Sequence, residues 1–203
     1  MSAAEKKATK KTTKKTVKKE PKTKKEQIKE QPKEKQKFVF KPKIEKITVN
    51  IGVGEAGERL GKAEIVLKNI TNHKPVKTIS RTTNKDWGIR DGMPLGCKVT
   101  LRGEEARNFL INALKTRGNK MADYSFDGEG NLSFGVPDHT LFKDQKYDPS
   151  IGIFGMDICI TIEKAGYRIK RRRIDRRKIP HKHRVKKEET MKYFAEAFNV
   201  EVV

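Results

Sequence analysis

The chain has 203 residues, 48 Lys and Arg against 26 Asp and Glu, a net charge of +22 and 34% hydrophobic residues. That length holds one domain, or one domain with a tail, and no stretch approaches the roughly 20 apolar residues of a membrane span. The lysine-rich start lacks the apolar stretch of a signal peptide, and Cys97 and Cys159 share neither CxxC nor Cys/His spacing, so a soluble cytoplasmic protein without disulfides or zinc is expected.

The first 37 residues hold fifteen lysines and five glutamates, with Met1, Val17 and Ile28 as their only large apolar side chains. So little surface cannot offset ordering entropy, and residues 1–37 are expected to be a disordered extension ahead of a single domain over 38–203. Ile47, Val49, Ile51 and Val53 then alternate with Thr48, Asn50 and Gly52, the period of a strand with one buried face. After a glycine-rich turn, Leu60, Ala63, Val66, Leu67 and Ile70 recur at helical spacing until Pro75 bars continuation. Val76 to Ser80 leads into a polar loop, Arg81 to Gly96, followed by a second half-buried strand with Cys97, Val99 and Leu101 inward and Lys98, Thr100 and Arg102 outward.

Ala106, Phe109, Leu110, Ala113 and Leu114 form the stripe of a helix that Gly118 can cap. Tyr124 to Val136 reads as a hairpin about Asp127–Asn131, and Pro137 to Ser150 as a long loop carrying Asp138, His139 and Tyr147. Met156, Ile158, Ile160 and Ile162 mark the clearest strand. A basic run follows, and a last helix near Lys186 to Phe198 has Met191, Phe194, Ala195 and Phe198 as its expected buried side. The pattern predicts an α+β domain: a mainly antiparallel sheet with helices on one face and the other face free. The predicted free face, with Thr48, Asn50, Gly52, Lys98, Thr100, Arg102 and Thr161, has no aromatic, so it suits hydrogen bonds to folded RNA better than stacking of single-stranded bases.

Residues 168 to 188 carry twelve Lys and Arg against Asp175 and Glu188. Guanidinium groups match phosphates in a bidentate fork and repel one another when unpaired, so Arg168, Lys170, Arg171, Arg172, Arg173, Arg176, Arg177 and Lys178 are candidate RNA phosphate contacts. His181 and His183 are expected to add donors there. Gly52 to Gly57 matches GxGxxG, but the first glycine lies inside the strand pattern and Glu55 would sit beside a pyrophosphate, so a tight strand-to-helix turn is the better reading. His139 beside Asp138 has no nucleophile to serve, and no cofactor or catalytic set can be assembled. The loop around Trp87 is too long for a connector, with Trp87 or Ile89 as a possible tether.

Several blocks in order carry a resemblance: Val49 to Glu55 (VNIGVGE), Pro75 to Thr78 (PVKT), Gly88-Ile89-Arg90, Gly96 to Gly103 (GCKVTLRG), Lys146 to Asp157 (KYDPSIGIFGMD) and Gly166-Tyr167-Arg168. Together they resemble the ribosomal protein L5 family of the large subunit, in its archaeal and eukaryotic form. The resemblance implies a non-enzymatic protein of the central protuberance that binds 5S rRNA and large-subunit rRNA, bridges to a small-subunit head protein and approaches the P-site tRNA. Carried over by motif, its buried 5S rRNA contacts fall on Asn50 and Thr100, which alternation independently puts on the outward face. Where the family has Thr-Gly-Gln-x-Pro this chain has Thr71-Asn72-His73-Lys74-Pro75, so His73 replaces a glutamine and loses the two-way contact of an amide. The tRNA-facing loop resembles Arg81 to Pro94, with Arg81, Lys85 and Arg90 as candidate phosphate contacts. A nonspecific polycationic RNA chaperone is the rival reading from the charge alone.

Overall fold

The computed structural model describes residues 40–143 and 145–203; the 1–37 extension lies outside the described residues. Five antiparallel strands make the main sheet in the order β2-β3-β1-β6-β5: β1 Lys43–Gly52, β2 Val76–Ile79, β3 Pro94–Leu101, β5 Leu132–Val136 and β6 Met156–Glu163. One face carries Ile47, Val49, Ile51, Cys97, Val99, Leu101, Phe134, Ile158 and Ile160, all buried. Helices α1 (Glu58–Thr71) and α2 (Gly103–Thr116) lie against it, through Leu60, Ala63 and Leu67 of one and Ala106, Leu110 and Ala113 of the other. An apolar face this continuous must be covered, and the two amphipathic helices cover it.

The helix ends follow from the chain's own chemistry. α1 stops at Asn72, which adopts φ 55° as its C-cap and returns its N–H to the Lys68 carbonyl. α2 closes on Gly118 at φ 64°, with Gly118 N–H bonded to the Lys115 carbonyl and Asn119 N–H to Leu114, a Schellman pair that satisfies the last carbonyls.

Two expectations are corrected, and one element is new. The first arm of the proposed 124–136 hairpin is a 3₁₀ turn, Asp123–Ser125, with a single bridge between Phe126 and Leu132; β5 pairs instead with β6. The competing partner wins because β6 offers five register positions and an apolar face that matches Leu132, Phe134 and Val136. In the last helix, α4 (Lys187–Phe198), Ala195 is exposed and Thr190 is buried beside Phe194. The helix is rotated so that the Thr190 hydroxyl donates to the Gly130 carbonyl at 2.9 Å. A second, two-stranded sheet pairs β4 (Lys120–Met121) in parallel with β7 (Glu201–Val202), too short to show a period in the sequence.

The glycine turn after β1 is not a nucleotide cradle. The Val53 and Gly54 N–H groups, which a phosphate would need, both donate to the Leu95 carbonyl at 3.0 and 2.9 Å. The strand after α1 pairs with β3 and not with β1, so no parallel βαβ unit exists there.

Candidate nucleic-acid interface

The outward face of the sheet is built by register. Asn50 stands opposite Lys98 on one side and Asp157 on the other, and Thr48 opposite Thr100 and Cys159. Adjacent rows complete the strip, with Gly52 against Gly96 at one end and Lys46 against Thr161 toward the other. Residues paired across strands share a face, so Thr48, Asn50, Gly52, Lys98 and Thr100 are brought together on one uncovered surface. Thr48 and Asn50 are half-buried and Lys98 and Thr100 exposed. None of the strand residues on this face is aromatic. At its β5 margin, however, exposed Tyr124 shares a hollow with Ser133, Gly135 and Cys159, a neighbour that sequence spacing had no means of showing.

Arg102 and Arg171 meet at one carboxylate. A bulge in β1 between Ile44 and Lys46 sets Glu45 apart, with its side chain only 10% exposed. Arg102 and Arg171 both donate to Glu45 Oε1, the latter at 2.5 Å, and Arg171 also reaches Glu163. Burial pushes the Glu45 carboxyl up, but the two guanidiniums outweigh it and hold the group below its ordinary value. These two arginines stay about half exposed but are paired within the protein, whereas Arg168, Lys170, Arg172, Arg173, Arg176, Arg177 and Lys178 form no ion pair among the described residues. The basic segment begins with a single helical turn, α3 (Arg168–Arg171), then runs without regular structure to a 3₁₀ turn at His181–His183.

His183 ties the basic segment to the chain before it. Its Nε2 lies 2.8 Å from the Ala165 carbonyl, and its ring packs edge-on against Phe40 and beside Tyr167. The Tyr167 hydroxyl accepts the Val185 N–H at 2.9 Å, so the far end of the segment is anchored to its start. His139 is buried, with Nδ1 accepting the Phe154 N–H at 3.3 Å, a packing role.

His73 is held by a carboxylate of α2. Its Nε2 is 2.7 Å from the Glu105 carboxylate, in a hollow lined by residues of α1, α2 and the 142–145 loop. Arg81, Lys85 and Arg90 are all exposed on the 80–93 arm, a two-stranded extension held by Ser80 N–H to Met93 O at 2.8 Å and by reciprocal bonds between Asn84 and Ile89. Trp87 sits at its tip, 76% exposed, so it is no tether, and Ile89 is half-buried.

A half-buried polar strip on an open antiparallel sheet, flanked by two cationic segments and backed by helices, defines a nucleic-acid-docking protein with no catalytic constellation among its described residues. The comparisons with known proteins agree. The family model of ribosomal protein L5 matches residues 39–90 and that of the ribosomal L5 family C-terminus matches 94–193. Relatives named large ribosomal subunit protein uL5 are 52% identical in Methanococcus maripaludis, over 80% of this chain and 92% of theirs, and 50% identical in Sulfurisphaera tokodaii, over 80% and 93%. The chain belongs to the ribosomal protein L5 family. It is a non-enzymatic, RNA-binding component of the large ribosomal subunit, ribosome-bound in the cytoplasm.

Proposed function

We propose that the strip on β1 and β3 binds 5S rRNA and helps attach it to large-subunit rRNA in the central protuberance. The register of Asn50 with Lys98 and Thr48 with Thr100 carries this reading. It lines up uncharged and cationic donors, two of them half-buried, on a face that no helix of the described residues covers. Short side chains on a rigid sheet hold hydrogen-bonding groups in place with little entropy to lose, which suits a folded RNA surface. Gly52 lets the RNA backbone come near, and Arg102 lends charge at the strip's margin. His73, turned to Glu105, contributes only if RNA displaces that carboxylate.

The exposed cations of 168–178 neutralise phosphates of the large-subunit rRNA. Arg171 acts indirectly, by holding the segment on Glu45 and Glu163. The 80–93 arm presents Arg81, Lys85 and Arg90 to the P-site tRNA, and a neighbouring ribosomal protein of the small-subunit head completes the set of partners. The domain is residues 38–203, and the 1–37 extension adds nonspecific affinity.

Binding of the full chain to 5S rRNA and to a length-matched control RNA tests the central assignment. Asn50→Ala and Thr100→Ala should each cost about 1 to 3 kcal/mol on 5S rRNA, the range for leaving a buried partner unpaired, and far less on the control. Equal losses on both RNAs would refute it.

A further inference from the structure

Between the end of β6 and the basic segment lies a hollow of about 540 Å³, within the range of pockets that seat small ligands. Its wall is apolar, formed by buried Ile162 and Ile179 with the half-buried ring of Tyr167. Its rim is cationic, with Lys170, Arg176, Arg177 and Lys178. The carboxylates at its edge are already engaged, Glu129 with Arg184 at 3.0 Å and Glu163 with Arg171. The rim cations have no such partner among the described residues.

The enclosing segment is held in shape by hydrogen bonds. The Arg177 N–H donates to the Ile169 carbonyl at 3.3 Å, Arg184 Nε donates to the Ile179 carbonyl at 3.4 Å, and Asp175 takes φ 51° to make the bend. Like charges gathered around an apolar slot repel one another until an anion enters, and guanidinium groups fit a phosphate best. The slot itself offers an aromatic ring and aliphatic surface to a flat group, with Thr161 on the same lining as a hydrogen-bonding partner for its edge.

We propose that this hollow holds one nucleoside monophosphate unit, its base against Tyr167 and Ile179 and its phosphate on the Arg176 and Lys178 rim. The unit comes either from an unstacked residue of a bound RNA or from a free nucleotide. The site meets the strip only at Thr161 and uses none of Asn50, Lys98 or Thr100.

The test measures the full chain at fixed salt against uridine monophosphate, uridine, inorganic phosphate, and a seven-residue single-stranded RNA with or without its central base. The monophosphate should bind at least about tenfold tighter than the nucleoside or inorganic phosphate, since both halves of the site are needed. Arg176→Gln with Lys178→Gln, both at exposed positions, should erase that margin, as should Thr161→Trp, which fills the slot. Asn50→Ala should leave it unchanged, which separates this site from the sheet strip. If the intact RNA binds more tightly than the monophosphate and loses about fivefold or more with its central base, the unit belongs to RNA; if the free monophosphate binds as tightly as the RNA, it is a free nucleotide. The proposal is overturned if phosphate, nucleoside and nucleotide bind alike. It is equally overturned if the double variant, melting as the parent does, retains the margin.

Discussion

Glu45 does more for this protein than any single cation that surrounds it. Arg102 at the end of β3 and Arg171 in the basic segment converge on its nearly buried carboxylate, so one acid ties the sheet to the chain that follows β6. Its folded-state pKa lies below the unfolded value, so its stabilisation is present above the ordinary carboxylate pKa and is lost as pH falls through the folded one. Glu45→Gln should therefore lower stability near neutral pH by on the order of 1 kcal/mol, given the half-exposed arginines, and flatten the loss of stability on acidification below about pH 5. Urea unfolding from pH 7 to 3 checks both, and an unchanged acid limb would contradict the assignment. The two cysteines supply a second probe. Cys97 is buried, and burial followed by the nearby Glu64 charge pushes its thiol up to about 11; Cys159 is exposed on the uncovered face, in register with Thr48 and Ser133. Alkylation should mark Cys159 alone, and bound 5S rRNA should slow it by roughly tenfold or more, because access as well as thiolate content sets the rate. Protection by the control RNA to the same extent would count against docking through this face.

At the scale of elements, the contact between α4 and the 127–131 turn is the tightest seam. Gly130 takes φ 80°, and a Cβ there would stand 2.6 Å from Val185 Cγ1 and 2.8 Å from Thr190 Oγ1. Gly130→Ala should cost roughly 2 to 4 kcal/mol from overpacking and left-handed strain together, and Thr190→Val about 1 to 2 kcal/mol from the Gly130 carbonyl left without its hydroxyl donor. Thermal unfolding of both variants measures this seam, and a melting point unchanged by Gly130→Ala would show that the turn relaxes freely. Gly96 plays the same part inside the sheet, where a Cβ would lie 2.7 Å from the Ile51 carbonyl. The long strand and helix signals were legible because each buries one face, and a buried face imposes a period of 2 or 3.6 on its own residues. The first arm of the 124–136 hairpin and the two-residue strands β4 and β7 were not. A turn signal names no partner, and two residues are too few to show alternation.

Across the whole molecule, the two cationic devices lie at opposite ends of one polar strip. The 80–93 arm leaves the sheet beside the Gly52–Gly96 row, while Arg171 is pinned at the Lys43–Glu163 end, about 30 Å away by the rise of β1. A surface so arranged spans more RNA than the sheet alone. Removal of residues 1–37 should reduce the salt dependence of RNA binding while leaving the 5S preference intact at about 200 mM salt, because the lysines act through counterion release and the strip through fixed hydrogen bonds. Loss of the preference with the extension would instead mark the protein as a polycation. Composition and periodicity by themselves determined the fold class, the buried faces of the long strands and of α1 and α2, the outward placement of Asn50 and Thr100, and the concentration of charge in 168–188, since each is a property of residues near one another along the chain. Only the tertiary structure decided that Arg102 and Arg171 pair with Glu45, that His73 meets Glu105, that His183 is a tether, and that an apolar slot opens beneath the basic rim. Each of those joins residues far apart along the chain, and which cation a carboxylate takes is settled by distance in space, on which sequence spacing is silent.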